Sequence, residues 1–154
     1  IDIRAALPYS KGLWPALWML GDNITTVGWP SCGEIDIMEL IGGEGYNDKT
    51  TYGTIHWQDN GTHAQYGGTK TLASGKFADE FHVFSIEWDQ SSIHWLLDNV
   101  EFKSVNTTPA ELSEFQEKFF LIFNVAVGGN FPGNPDATSV FPQTMYVDYV
   151  RIFQ

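Results

Sequence analysis

Three acidic side chains lie within six residues of the sequence, in the segment Gly33–Leu40 that reads Gly-Glu-Ile-Asp-Ile-Met-Glu-Leu. The acids Glu34, Asp36 and Glu39 are interleaved with large apolar residues, as expected for a β-strand with one face in a core. Carboxyls that share one face can divide acid and base chemistry, because one stays ionised while another holds a proton. An exposed acidic strand face and a divalent-metal site are the alternative interpretations of the same residues.

Strict alternation along a strand would send Glu39 to the face opposite Glu34 and Asp36. A one-residue β-bulge near Ile37–Met38 returns Glu39 to the acid face, and bulges are common beside active sites. With the bulge, the carboxyls of the two glutamates approach the roughly 5–5.5 Å that a retaining glycosidase uses, one ionised for attack and the other protonated. Asp36 lies between them, where it can share a proton with Glu34 and raise the pKa of its acidic neighbours by charge repulsion.

The charge balance limits the partners that the protein can bind. The 154 residues include 19 acids and 8 bases, for a formal net charge of −11, which opposes binding to nucleic acid. An acidic cleft would also repel sulfated or uronic polysaccharides, so a neutral ligand is the predicted partner. The single cysteine, Cys32, cannot form an internal disulfide. No apolar run reaches the roughly 18 residues of a membrane-spanning helix.

Short β-rich runs alternate with turn signals along residues 1–154, which predicts a single all-β sandwich domain. The predicted strands are Ile1–Leu7, Leu13–Leu20, Glu34–Leu40, Thr51–Trp57, Phe81–Trp88, Ile93–Leu97, Glu101–Val105, Phe119–Val127 and Met145–Phe153. One short helix is predicted at Pro109–Gln116, with Thr108 as its N-cap and proline at the first helical position. The run Phe119–Val127 is apolar on both faces except for Asn124, which predicts a strand buried on both sides whose amide must either be hydrogen-bonded or face a cleft.

Two longer motifs resemble glycoside hydrolase family 16 in its laminarinase branch. The first is Trp-Pro-Ala-Leu-Trp-Met-Leu at 14–20, followed by Trp-Pro-Ser-Cys-Gly-Glu-Ile-Asp-Ile-Met-Glu at 29–39. The second is Phe-Asn-Val-Ala-Val-Gly-Gly-Asn-Phe-Pro-Gly-Asn-Pro-Asp at 123–136, followed by Met-Tyr-Val-Asp-Tyr-Val-Arg at 145–151. The resemblance covers nearly the whole chain. It implies a concanavalin A-like β-jelly roll, a sandwich of two antiparallel sheets with a concave substrate cleft.

The resemblance also implies a reaction and a role for each acid. Glu34 matches the family's nucleophile, Asp36 its assisting acid and Glu39 its acid/base, in the Glu-x-Asp-x-x-Glu spacing of the bulged branch. The implied activity is endo-hydrolysis of neutral β-1,3-glucan, with mixed-linkage β-1,3-1,4-glucan left open, by a retaining mechanism that needs no cofactor. A secreted or cell-surface enzyme is expected. A transglycosylase, a plain sandwich lectin and a non-catalytic β-glucan recognition module are the alternatives, although the family's recognition modules lose the catalytic glutamates.

Several residues outside the acid strand match the family's cleft. The implied substrate-binding set is Trp14, Trp18, Trp29, His56, Asn124 and Gln143. Trp14 and Trp18 are four residues apart and therefore share a strand face, although core packing is the alternative interpretation for any tryptophan. Trp88 and Trp95 are expected in the core.

Asp148 lies where many family members have a structural calcium ligand, so the resemblance implies a calcium site. One carboxylate is a small part of such a site, because Ca²⁺ takes roughly 6–8 oxygen ligands. Catalytic domains of the family are also longer than this sequence, with several strands before the equivalent of Ile1. We therefore expect the missing N-terminal strands, and further calcium ligands, to come from the rest of the parent chain or from a second segment.

Overall fold

Residues 1–43 and 47–154 are described by a computed structural model, which is built mainly of β-strands. The strands of these residues are β1 (Asp2–Ala6), β2 (Leu13–Gly21), β3 (Glu34–Leu40), β4 (Thr50–Asp59), β5 (Thr62–Thr71), β6 (His82–Trp88), β7 (Ser92–Leu97), β8 (Val100–Asn106), β9 (Phe119–Val127) and β10 (Tyr146–Arg151). A single turn of α-helix, α1 (Ile24–Val27), and two 3₁₀ segments, Asn47–Lys49 and Ala110–Gln116, lie between them. No helix in these ranges has the length and apolarity to cross a membrane.

The strands form two antiparallel sheets of five strands each. The order is β10-β1-β6-β7-β8 in the first sheet and β5-β4-β3-β2-β9 in the second. Strand β3 contacts β6, and β5 contacts β8, so the two sheets are stacked face to face. The predicted all-β sandwich is confirmed.

The core fills the space between the sheets. Strand β3 supplies four apolar side chains that are each at most 2% exposed: Ile35, Ile37, Met38 and Leu40. Trp95 of β7 is fully buried, and its indole N–H donates to the backbone carbonyl oxygen of Asp36 at 2.8 Å, which ties the first sheet to the acid strand. Trp95 lies in the core as predicted, whereas Trp88 is partly buried and packs against the edge of the core.

The prediction that Phe119–Val127 is buried on both sides is wrong. This strand, β9, lies at the end of the second sheet and pairs only with β2 within the described part of the chain. Phe120 and Phe123 are 42% and 37% exposed as a result. Strand β10 ends the first sheet in the same way, with Tyr146 60% exposed. That strands from outside this sequence cover these edges stays a prediction.

Two local predictions also need correction. Strand β5 was not predicted, because Thr62–Thr71 is rich in threonine and glycine and lacks an apolar alternation. The segment Ala110–Gln116 is a 3₁₀ helix that begins after Pro109, so Thr108 is not its N-cap. The hydroxyl and backbone N–H of Thr108 instead donate to the side chain of Asn106. The other predicted strands end within two residues of the observed ones.

Gly53 of β4 lies directly against the indole of Trp95, and a Cβ atom at this position would overlap the ring. Because Trp95 is fully buried, Gly53→Ala must displace either the ring or the strand. We expect the substitution to lower the free energy of unfolding by roughly 1–3 kcal/mol, measured by urea denaturation. Thr69→Ser, at an exposed position of β5, is the control and should change it by less than about 0.5 kcal/mol. Equal denaturation midpoints for the wild type and Gly53→Ala would contradict this packing.

Candidate active site

Strand β3 carries a one-residue bulge between Asp36 and Glu39. Asp36 is opposite Thr54 of β4 and Glu39 is opposite Tyr52, so three steps along β3 match two along β4. Both residues between the two acids point into the core. The predicted bulge is therefore present, and Glu34, Asp36 and Glu39 all line the same cavity on the outer face of the second sheet.

This cavity has a volume of about 270 Å³. Its lining consists of Trp14, Ala16, Trp18, Glu34, Asp36, Glu39, Asn124 and Ala126. Ala16 of β2 is opposite both Glu39 of β3 and Asn124 of β9, and its small methyl group leaves room between the acid and the amide. The fold therefore brings together six of the residues that the sequence analysis selected.

Each of the two glutamates receives a hydrogen bond from one tryptophan. The indole N–H of Trp14 donates to Oε1 of Glu39 at 2.8 Å, and that of Trp29 donates to Oε2 of Glu34 at 2.7 Å. An N–H donor favours the ionised form of a carboxyl and fixes the direction of its oxygens. The two indoles thus orient the carboxyl groups. Trp14 also lines the cavity, whereas Trp29 lies outside its lining and remains 49% exposed for other contacts.

The amide of Asn124 also accepts from an indole. The N–H of Trp18 donates to Oδ1 of Asn124 at 2.7 Å, which satisfies the one polar side chain of the apolar strand β9. Trp18 and Asn124 therefore face the cavity together. Core packing does not account for Trp14 or Trp18, since both are only partly buried and line this cavity.

An imidazole completes the constellation. His56 of β4 is opposite Glu34 in register, and its Nε2 lies 3.0 Å from Oδ2 of Asp36 and 3.9 Å from Oε1 of Glu34. Nδ1 of His56 lies 2.9 Å from Nε2 of His63, a residue of β5 that the sequence analysis missed. His63 could not be selected from the sequence because β5 itself was not predicted, so no partner strand for β4 could be placed.

All three acids have raised pKa values. Burial, followed by repulsion from Asp36, raises the pKa of Glu34 to about 7, against the opposing effects of His56 and Trp29. Asp36 is almost fully buried, and desolvation together with the charge of Glu39 puts its pKa well above the usual range. Burial also raises the pKa of Glu39, while the Trp14 hydrogen bond opposes that rise. At neutral pH the trio therefore retains protons that exposed carboxyls would have lost.

The alternative of a divalent-metal site fits these residues less well. Ligand atoms of Glu34, Asp36 and His56 lie within 4.8 Å of one another, a grouping that could hold an ion. A metal needs the deprotonated carboxylates, however, and burial here favours the protonated forms. One oxygen of Glu34 is already bonded to the Trp29 indole.

Asp148 and Gln143 lie elsewhere. The carboxylate of Asp148 contacts the guanidinium of Arg4 at 2.7 Å, and Asp148 is not part of any group of three metal-ligating side chains in the described residues. One carboxylate supplies only part of the roughly 6–8 oxygens that Ca²⁺ takes, so the calcium assignment stays a prediction. The side chain of Gln143 accepts from the backbone N–H of Tyr9 at 3.4 Å and does not line the cavity.

A second residue that the sequence analysis missed is Phe131, from the loop after β9. Its ring makes edge-to-face contacts with Trp14 at 5.6 Å and with Tyr52 at 5.2 Å between centroids. Phe131 is 41% exposed and extends the aromatic surface at the Glu39 end of the cleft. It stands within the quoted motif at 123–136, but a loop position gives no periodicity from which its direction could be predicted.

Buried paired carboxyls oriented by indoles, on one face of a β-sandwich, form a site with the groups that glycoside hydrolysis requires. The profile of Glycosyl hydrolases family 16 matches residues 1–151. The chain therefore belongs to glycosyl hydrolase family 16.

The chain is similar to several proteins of known name. It is 38% identical to Glucan endo-1,3-beta-glucosidase A1 of Niallia circulans over 100% of this chain and 24% of that protein. It is 32% identical to a Beta-1,3-glucan-binding protein of Penaeus monodon, over 92% of this chain and 46% of that protein. Among solved structures, the catalytic domain of an endo-1,3-beta-glucanase (laminarinase) from Thermotoga petrophila RKU-1 superposes with a TM-score of 0.81 and 46% identity, covering 96% of this chain and 60% of that chain. The chain thus spans less than two thirds of each.

Removing one charge from the trio should change how stability depends on pH. Because the pKa of Glu34 rises from 4.5 to about 7 on folding, its folded form binds protons more tightly. The contribution of Glu34 to stability is then fully present below about pH 4.5 and is lost as the pH rises through about 7. We expect the melting temperature of Glu34→Gln to fall less over this range than that of the wild type, in thermal melts of the full-length protein. The exposed Glu80→Gln should follow the wild type, and parallel curves for all three proteins would contradict the assignment.

Proposed function

We propose that the protein is an endo-acting hydrolase of β-1,3-glucan that uses a retaining double-displacement mechanism. The observation that carries the proposal is the bulged strand β3, which presents Glu34 and Glu39 in one cavity, each held by an indole N–H. Membership of the family and the likeness to laminarinases support the substrate class. The net charge of −11 supports a neutral glucan over an acidic polysaccharide.

In the first step, the ionised carboxylate of Glu34 attacks the anomeric carbon of the sugar. The bond from that carbon to the glycosidic oxygen breaks while the bond to Glu34 forms, and the departing oxygen takes the proton of Glu39. Family resemblance assigns these two roles. The indole N–H of Trp29 favours the ionised form of Glu34, as a nucleophile requires.

In the second step, water attacks the same carbon from the side that the leaving group vacated. Glu39 now accepts the proton of the water, and Glu34 leaves as a carboxylate. A reason for the change in Glu39 is that burial and, to a smaller extent, the charge of Glu34 raise its pKa in the free protein. That charge disappears when Glu34 is esterified, so the pKa of Glu39 falls and the residue becomes a base.

Asp36 acts through Glu34 rather than on the sugar. It is 2% exposed, between the two glutamates, and its charge and its hydrogen bond with Glu34 both raise the pKa of Glu34. We propose that Asp36 holds a proton when Glu34 is ionised, which avoids adjacent buried charges. Substrate then contacts the exposed face of Trp29, the pair Trp18–Asn124 and the aromatic surface of Phe131.

The setting of the enzyme follows from its substrate. Polymeric glucan is met outside cells, so we propose a secreted or cell-surface protein. The exposed apolar edges of β9 and β10 support the proposal that further strands of the parent protein, or a second segment, complete the sheets. We retain Gln143 as a candidate substrate residue and Asp148 as a candidate ligand of structural calcium, on family resemblance alone.

A non-catalytic glucan-recognition module is the second candidate, because one relative is named a Beta-1,3-glucan-binding protein. Such a module needs no acid with a raised pKa and no second carboxyl in the same cavity. Here all three acids line one cavity, with Asp36 buried and Glu34 and Glu39 partly buried, which favours the enzyme. Binding of laminarin without release of reducing sugar by the full-length protein would establish the module instead.

The roles of the two glutamates can be separated by adding azide to variants of the full-length protein. We expect Glu39→Ala to lose roughly 10²–10⁴-fold in kcat with laminarin, and Glu34→Ala to lose at least as much. Azide, a small anion, can enter the space that each truncation leaves. With an activated donor, it should yield a glycosyl azide of retained configuration from Glu39→Ala and of inverted configuration from Glu34→Ala.

The exposed Glu80→Ala is the matched control and should keep wild-type activity. Retained configuration from Glu34→Ala, or full activity in either cavity variant, would contradict the assigned roles.

The two indole donors should set opposite limbs of the pH–rate profile. Trp29→Phe removes the donor to Glu34, so the pKa of the nucleophile rises and the acidic limb of kcat/KM moves to higher pH by up to about one unit. Trp14→Phe removes the donor to Glu39, so the pKa of the acid rises and the alkaline limb moves to higher pH instead. Each variant controls for the other, and movement of the same limb in both would count against the assignment.

A further inference from the structure

We propose that His63 is a positioning residue of the active site, which holds the imidazole of His56 so that Nε2 of His56 faces the carboxyls of Asp36 and Glu34. The kinetic consequences of this role rest on the proposed function, but the orientation of His56 by His63 does not depend on catalysis. It assigns a role to a residue outside the cavity.

The hairpin of β4 and β5 places the two imidazoles together. His56 is opposite Gln65, and His63 is opposite Gln58, so His56 and His63 are diagonal neighbours on one face of the strand pair. The connecting turn has Asn60 and Gly61 at φ values of 48° and 82°, the left-handed conformations that a two-residue hairpin loop requires. The register that pairs the histidines is therefore fixed by the turn.

The contacts between the rings are close and specific. Nε2 of His63 lies 2.9 Å from Nδ1 of His56, and the two rings are inclined by only 24° at 5.1 Å between centroids. Trp29 packs against both imidazoles, at 4.7 Å from His63 and 6.3 Å from His56. The same indole donates to Glu34, so the cluster connects the β5 strand to the proposed nucleophile.

This arrangement constrains the protons of His56. One of the facing nitrogens must donate and the other must accept, so both cannot carry a proton at once. When His63 donates, Nδ1 of a neutral His56 accepts, and the proton of His56 is placed on Nε2, facing Asp36 at 3.0 Å. When His56 is a cation, Nδ1 donates and His63 must be neutral.

Burial and the charge of His56 both lower the pKa of His63, in agreement with that requirement. In both of these states Nε2 of His56 presents N–H to the acids. A neutral His56 with its proton on Nδ1 could also donate to His63, but it would turn the lone pair of Nε2 toward Oδ2 of Asp36 at 3.0 Å, so we infer that the Nε2–H form is the one held.

The groups around His56 give this orientation its consequence. The titratable groups that contact it or act on it are Glu34, Asp36 and Glu39 of β3 and His63 of β5. Oδ2 of Asp36 is buried and makes no hydrogen bond within the described residues, so an N–H at ion-pair distance is its main compensation. Because His56 lowers the pKa of Glu34, a rotated imidazole would leave the nucleophile more easily protonated.

Two substitutions of His63 separate hydrogen bonding from packing. His63→Phe keeps an aromatic ring against Trp29 and His56 but has no nitrogen, whereas His63→Gln keeps an amide that can bond to His56. Because His63 is exposed, both variants of the full-length protein should fold, which melting temperatures would verify. We expect His63→Phe to reduce kcat on laminarin about tenfold, the effect of one lost hydrogen bond, with little change in KM.

The acidic limb of kcat/KM should also move to higher pH in His63→Phe, because Glu34 loses the influence of an oriented His56. His63→Gln should restore the wild-type limb and most of kcat. Equal impairment of both variants, or a wild-type profile in His63→Phe, would overturn the proposal.

A readout that does not need turnover distinguishes this proposal from the proposed function. The ¹⁵N chemical shifts of the His56 imidazole report which nitrogen carries the proton. We expect Nε2–H in the wild type and in His63→Gln, and a mixture of tautomers in His63→Phe. If the wild type fails to cleave laminarin but these shifts change as stated, the proposed function fails and the positioning role stands. Unchanged shifts in His63→Phe would overturn the positioning role, whatever the activity.

Discussion

The one-residue bulge in β3 is the constraint on which the site depends. A regular strand would put Glu39 on the core face, where an unpaired carboxyl is costly, and Met38 on the cleft face. The bulge inverts this assignment, because Ile37 and Met38 both enter the core while Glu39 joins Glu34 and Asp36 in the cavity. One extra residue therefore satisfies the apolar core and the polar site at the same time.

Placing three carboxyls side by side in one cavity opposes folding, because their ionised forms lose water and repel one another. The raised pKa values of all three reflect this destabilisation. The surrounding residues offset part of it. Trp14 and Trp29 each donate to one glutamate, and His56 brings an imidazole nitrogen to Asp36. The same contacts that reduce the cost also orient the groups, so the site is stabilised by the residues that prepare it for chemistry. Proteins commonly accept lower stability at such a site in exchange for function.

Sequence patterns predicted the sandwich, most strand positions and the bulge. The bulge was predictable because only an extra residue in β3 lets all its acids share one face while its apolar residues enter the core. They failed for β9, since an apolar run looks the same whether its second face is buried or lies at a sheet edge. Strand β5 has no alternation to reveal it, and His63 was missed with it. The bond from Trp14 to Glu39 joins residues 25 apart, and no local pattern specifies such a pairing.

In the function that we propose, the bulged strand supports a covalent double displacement with Glu34 as the nucleophile. The most direct test is to treat the full-length protein with a 2-deoxy-2-fluoro laminaribiosyl fluoride. Its 2-fluorine slows both steps, but the reactive fluoride leaving group speeds formation of the intermediate, which therefore accumulates. Mass spectrometry of the digested protein should then locate one disaccharide on the peptide that contains β3, esterified to Glu34. A sugar attached to Glu39, or turnover with inversion and no trapped species, would contradict the account.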